Sequence, residues 1–395
     1  METPAASAIA RHGVDAERGF LPDEDPLPGF DLEGHDRDLG AWLERLDELA
    51  AALPGHLAGG TVRGHTRELE PPPAGWRSAL DERETVRVCT IASFLASGHA
   101  HELESEPVDR LPAGVAIPLY ETSRELGRKS IAAYDTICLE NWRREDPGGG
   151  LVVENVEPLV RFTDLPDEGW FVAIHVAIEA AAGAALVASA RAQGRVAGVE
   201  PGALDGATRD ALCDDLDAVA NSLERQTGIM ERMTEGNEPI AFATEFRPYY
   251  GGFDGIVFEG VDALDGEPQH LRGGSGAQSS ALPSIDAALG IEHEATPLIE
   301  KLGDMHDYMP AWHREVLAAY REGPDLRAFV AAAGDEPLTA AFNRCVAGVA
   351  DFREVHYDQV IQYIMATTGD TTGTGGTDIM PFLEQLRAET ERQLV

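Results

Sequence analysis

Lysine is almost absent from this 395-residue chain: Lys129 and Lys301 are the only two. Lys and Arg together number 31 against 69 Asp and Glu, for a formal net charge of −38. Such a surface repels phosphate backbones and anionic lipid, which argues against nucleic acid or an anionic membrane as partner. It suits strong salt, where the Debye length shrinks to about 3 Å at 1 M and self-repulsion is screened. The expected home is the cytoplasm of a halophile. Cysteine is scarce as well. Cys89, Cys138, Cys213 and Cys345 stand far apart with no C-x-x-C pair, which fits a reducing compartment and excludes a disulfide framework. The opening METPAASAIARHGVDAERGF holds no apolar run of signal-peptide length. Metal spacing is missing too: His99 and His101 lie outside an H-E-x-x-H string, and Pro310 separates His306 from His313. These four histidines read as structural or exposed.

What remains is a chain long enough for two domains and a sizeable core. Residues 1–29 are expected to form a disordered tail. Residues 30–150 mix a helical pattern (Leu39 to Leu53) with proline-rich links such as Glu70-Pro71-Pro72-Pro73, and end at the Pro147-Gly148-Gly149-Gly150 hinge. From residue 151 to 395 the helical period dominates, over 170–193, 207–234, 282–303, 310–321, 324–333, 336–367 and 378–393. Val152 to Val160 and Gly255 to Glu259 are short strands or extended links. The expected fold is mainly α: a small, mostly helical N-terminal domain capping a large all-helical domain that holds a cofactor. Trp170 to Ala190 is apolar almost all round, the mark of a helix buried in a large core. Its length would suit a membrane span, yet His175 and Glu179 interrupt it and no second such segment exists.

The last quarter of the chain carries the clearest chemistry. From Arg344 to about Thr367 apolar residues recur at three- and four-residue steps, and His356 shares their stripe with Phe352, Val360 and Tyr363. Arg353 stands one turn earlier on nearly the same face. A neutral imidazole that ligates iron, with a guanidinium for an acidic ligand such as a haem propionate, needs this pairing. A core histidine satisfied by a neighbour is the alternative. A glycine-threonine loop, GTGGTD, follows within a short linker, and its glycines give the freedom that a lid or a plain linker needs.

The stretches FREVHYDQVIQYI, GTGGTDIMPFL, YMPAWHREVL and LRGGSGAQSSALPSIDAALGI resemble the haem-domain motifs of indoleamine 2,3-dioxygenases, and stand in that family's order. With weaker upstream matches the resemblance covers residues 30 to 390. It implies that His356 is the proximal haem ligand, with Arg353 near a propionate and Asp286 near the proximal side. Ser275 and Gly276 would line the distal pocket, where the residues alone read as a surface turn. Registered on Glu179 and the alanine run after it, Phe171 matches the distal aromatic. His175 falls where vertebrate members carry serine. The related tryptophan 2,3-dioxygenases use a distal histidine to hold the indole N–H, so His175 is expected to accept a hydrogen bond from substrate. The alternative is a bond to a backbone carbonyl of its own bundle.

The same resemblance makes Arg247, at the helix break of AFATEFRPYYGG, the grip on an amino-acid carboxylate, with Phe242 packed on the indole. Thr374 would close over the substrate's ammonium and carboxylate, and Tyr134, Ile137 and Cys138 of YDTICLENW would form the wall above the haem. No C-x-x-C-H string attaches haem covalently, so a haem b would be held by His356 and packing. The implied reaction is insertion of both atoms of O2 across the indole C2=C3 bond of L-tryptophan to give N-formylkynurenine, entering the kynurenine pathway. Dioxygenation of another indole, a haem oxygen carrier or sensor, and a haem-free relative are the alternatives. The residues say nothing of the oligomeric state.

Overall fold

The computed structural model describes residues 3–294, 296, 303–369 and 379–395. Helices of eight residues or more are numbered in chain order. The N-terminal third holds α1 (Pro4–Arg11), α2 (Arg37–Ala58), α3 (Glu82–His101) and α4 (Ala113–Glu125). Then come α5 (Pro166–Val196), α6 (Gly206–Glu231), α7 (Ala281–Leu289), α8 (Ala311–Arg321), α9 (Leu326–Ala333), α10 (Glu336–Val360) and α11 (Ile379–Glu391). The mainly α reading holds. Strands are minor: β1 (Arg110–Leu111) runs parallel to β4 (Phe253–Phe258), which pairs antiparallel with β5 (Gln269–Leu271). β2 (Arg143–Arg144) and β3 (Val156–Glu157) form a separate antiparallel pair.

Helix α5 organises the interior. Pro166 presets its first turn, and the Glu168 carboxylate accepts from the Phe162 and Thr163 backbone N–H groups at 2.9 and 2.7 Å, fixing how the chain enters. Its first half, Val172 to Ala180, belongs to a core shared with α2, α3, α4 and the aromatics Phe242, Phe246, Tyr249 and Tyr250. Its second half, Ala182 to Val196, belongs to another core with α1, α6, α7, α8, α9 and α10. α6 packs against both α5 and α10. The first core draws on residues from both sides of residue 150. Among the described residues α5 is the one helix long and apolar enough to cross a membrane, and most of that apolar stretch is buried inside the protein.

Two expectations are corrected. Within the expected disordered tail, residues 3–29 are ordered: Thr3 caps α1 by accepting from the Ala6 N–H at 3.3 Å, and Ala5, Ala8 and Ile9 are buried against α8 and α5. The apolar stripe is two alanines and one isoleucine in eight residues, too slight to stand out in the sequence. The helix expected over 282–303 stops at Leu289, because Gly290 takes a φ of 71°, the left-handed C-terminal stop that glycine adopts without strain.

Buried imidazoles tie this fold to pH. His99 is buried with Nδ1 2.7 Å from the Thr66 hydroxyl, and burial lowers its pKa to about 4. Between the unfolded value of about 6.5 and that lowered value the unfolded chain binds more protons, so stability falls as pH falls through this window. Denaturant unfolding of His99→Gln is expected to show a shallower loss over the same interval than the parent chain. An unchanged slope would remove His99 from the account.

Candidate functional site

One cavity of about 720 Å³ opens between α5, α7 and α10, a size that suits a large ligand. Three of its wall segments are widened π-turns: Asp135–Leu139, Phe242–Phe246 and Ile361–Met365. Such turns insert one extra residue and swing neighbouring side chains off the regular helical register, and they recur at functional sites. Here they deliver Ile137 and Cys138, Phe242, and Tyr363 and Ile364 to the cavity.

α5 supplies Phe171, His175 and Glu179, each four residues from the last and so stacked on one face. His175 Nδ1 lies 2.8 Å from the Phe171 carbonyl oxygen. A carbonyl only accepts, so Nδ1 carries the hydrogen and Nε2 keeps its lone pair. The backbone bond and the cavity position therefore coexist. Burial lowers the His175 pKa and keeps the ring neutral. Its ring lies 4.3 Å from that of Phe171 and meets Tyr134 edge-on at 5.8 Å, while Phe171 lies 5.3 Å from Phe242. Tyr134 donates to Glu179 Oε1 at 3.0 Å.

The segment read as a surface turn is built into the wall. A Cβ at Gly273 would lie 2.0 Å from the Tyr250 carbonyl oxygen, so that position admits no side chain, and one at Gly274 would lie 2.4 Å from Ile137 Cδ1 and would push that side chain aside. A Cβ at Gly276 would meet nothing within 4 Å, and both Ser275 and Gly276 line the cavity. Gln278 clamps the loop: Nε2 donates to the Gly273 carbonyl at 2.9 Å, and Oε1 accepts from the Tyr134 and Ser275 N–H groups at 3.0 and 3.2 Å. Arg247 opens the short turn Arg247–Tyr250 and also lines the cavity.

On α10, His356 faces the same cavity and makes no hydrogen bond among the described residues. Burial, with a smaller contribution from His175, lowers its pKa to about 4, so its ring nitrogen is an unprotonated donor at neutral pH. One turn earlier Arg353 is buried, pairs with Asp286 Oδ2 of α7 at 2.5 Å and also donates to the Thr390 hydroxyl of α11. His293 extends this network, with Nε2 3.4 Å from Arg353 and Nδ1 2.8 Å from Glu389. Among the described residues no three His, Cys, Asp or Glu side chains converge to hold a bare metal ion. His356, an imidazole with no hydrogen bond among the described residues on the wall of a large cavity, fits a metal whose other ligands come from a macrocycle such as haem.

The structure thus brings Tyr134, Cys138, Phe171, His175, Phe242, Arg247, Ser275, Gly276, Asp286, Arg353 and His356 to one cavity. Thr374 lies outside the described residues. Sequence reasoning missed three contributors: Glu179 as the acceptor for Tyr134, the His293–Glu389–Thr390 extension, and His306 on the cavity wall. Glu179 had a signal, an acidic residue inside an apolar helix. His293 had none, since it lies in an irregular stretch after Gly290.

Fold and site define a class: a mainly α protein with a large cavity that two neutral imidazoles, His175 and His356, line. The family model described as Indoleamine 2,3-dioxygenase matches residues 8–393, and the chain belongs to that family of oxidoreductases. Its relatives include Indoleamine 2,3-dioxygenase 1 of Mus musculus, 34% identical over 88% of each chain. Indoleamine 2,3-dioxygenase of Saccharomyces cerevisiae is 27% identical over 97% of this chain and 92% of its own. A protein named Myoglobin from Haliotis diversicolor is 26% identical over 97% of this chain and 98% of its own.

The Arg353–Asp286 pair yields a stability prediction. Replacing Asp286 by Ala strands a buried guanidinium, at a cost of about 3–5 kcal/mol in unfolding free energy. Denaturant titration of the apo-chain measures it, and a loss below about 1 kcal/mol would show the pair to be no stronger than an exposed one.

Proposed function

We propose that the protein is a haem-dependent dioxygenase that inserts both atoms of O2 across the indole C2=C3 bond of L-tryptophan, giving N-formylkynurenine. The observation that carries this reading is the pair of neutral imidazoles in one cavity, His356 with no hydrogen bond among the described residues and His175 with its tautomer fixed. A non-covalent haem b would be held by His356 and would supply the oxygen chemistry. His175 Nε2 accepts the indole N–H. The ring pair Phe171 and Phe242, 5.3 Å apart, flanks the indole. Arg247 grips the carboxylate with its planar fork. Tyr134, Cys138, Ser275 and Gly276 shape the wall and keep water out. Arg353 and Asp286 hold α10 and α7 together beside the cofactor, and Arg353 reaches a propionate only by sharing its donors. Residues 30–150 act as a cap on residues 151–395, and the acidic surface suits a salt-rich cytoplasm.

A second reading, reversible oxygen binding without turnover, draws on the relative named Myoglobin. One experiment separates the two. The haem-loaded ferrous protein is titrated with L-tryptophan without oxygen in strong salt, then oxygen is admitted and N-formylkynurenine is assayed. Product is the expected result; a stable oxygen complex with no product would favour the carrier. Arg247→Lys is expected to weaken tryptophan binding by about 1.5–3 kcal/mol through loss of charge-assisted bonds. Unchanged affinity would take the carboxylate away from Arg247.

A further inference from the structure

Two side chains on the cavity face of α10 reach across to the segment that closes α6. His356, Gln359 and Tyr363 stand three and four residues apart, so one face of α10, continued into the widened turn after it, brings all three to the cavity. Gln359 Nε2 donates to the Met230 carbonyl in the last turn of α6. The Tyr363 hydroxyl donates to the Asn237 carbonyl at 2.6 Å, in a buried bond. From Asn237 the chain runs through Pro239–Ala241 straight into the turn Phe242–Phe246 and then Arg247. The Tyr363 ring also meets the Phe242 ring edge-on, 5.8 Å away with the planes at 83°. α5 fixes the same segment independently. Trp170 Nε1 donates to the Arg232 carbonyl at 2.9 Å, the Asp167 carboxylate accepts from the Glu238 N–H at 2.7 Å, and Gly236 rests on the Trp170 ring, which a Cβ there would approach to 2.5 Å.

Residues 230–238 are thus held from two walls of the cavity, by the helix that carries Phe171 and His175 and by the helix that carries His356. The contacts from α5 set the segment against His175. Gln359 and Tyr363 set it against His356. We propose that Tyr363, assisted by Gln359, is a positioning residue for the dioxygenation: it keeps Phe242 and Arg247, the groups that receive the indole ring and the carboxylate, at a fixed place relative to His356. Its hydroxyl is engaged by Asn237, so it acts through that carbonyl and through the Phe242 ring. Positioning of this kind matters because reacting atoms must be held about 3–3.5 Å apart, and small misplacements slow the reaction steeply. The inference rests on the tryptophan reading above.

Tyr363→Phe tests it by keeping the ring and removing the bond. In the ferrous, haem-loaded chain without oxygen its tryptophan Kd is expected to rise about three- to tenfold, the scale of one neutral hydrogen bond, while haem affinity stays within about twofold of the parent. Because the effect passes through the segment that bears Arg247, Tyr363→Phe should weaken tryptophan less in an Arg247→Lys background than in the parent. In the apo-chain the backbone amides of residues 238–247 should exchange hydrogen faster in Tyr363→Phe, with those of Val172 to Ala180 in α5 at the parental rate. Should Tyr363→Phe fail to fold, Gln359→Leu carries the same three predictions. Unchanged tryptophan affinity, equal losses of haem and tryptophan affinity, or strict additivity with Arg247→Lys would overturn the proposal. Tight tryptophan binding with parental exchange at 238–247 would remove the tether and leave the reaction standing. Faster exchange there in a chain that binds haem but no tryptophan would remove the substrate reading, and the positioning role with it, while the tether itself remained.

Discussion

A helix that is apolar on nearly every face has no stable place except inside other helices, and α5 imposes that constraint on the whole protein. Both cores form around it, one on each half of its length. Its few polar side chains must then find partners in the interior or face a cavity. Phe171, His175 and Glu179 follow one stripe, so the stripe becomes a wall. Tyr134 and Ser279 come to that wall because Glu179 needs donors, and His175 is turned by its own helix's carbonyl.

Electrostatics inside and outside run opposite ways. The chain carries a formal charge of −38, yet His175 and His356 in the cavity are neutral, and two buried guanidinium groups are matched by carboxylates. Arg128, buried, bonds Asp135 and Glu140, each at 2.6 Å, and so secures the widened turn that follows Tyr134 and carries Cys138. Arg353 with Asp286 does the same for α10 and α7, and its contact with Thr390 adds α11. Paired charges at the joints hold the walls in place, and the neutral imidazoles His175 and His356 face the space between them.

Much of this was legible in the sequence because period and composition reflect burial directly. The stripe through His356 and the all-apolar α5 need only counting. Motif resemblance located the glycine segment, and the close approach of Gly273 and Gly274 to neighbouring atoms gives its physical reason. Helix ends were harder: the stop at Gly290 depends on a local left-handed conformation competing with a continuing apolar pattern. α1 escaped notice since its stripe is small and short, and its stability comes from docking on α8 and α5. The three π-turns leave no periodic signature. The partners of Glu179 and Arg353 lie as much as 100 residues away in sequence, so only the folded chain reveals them.

The central claim is that one O2 molecule delivers both of its atoms to one indole. Turnover in a mixture of ordinary and heavy-isotope dioxygen, with mass analysis of the N-formylkynurenine, addresses it most directly. The account predicts product carrying either two light or two heavy oxygens at the new positions. Product with one of each, or with oxygen drawn from water, would contradict it.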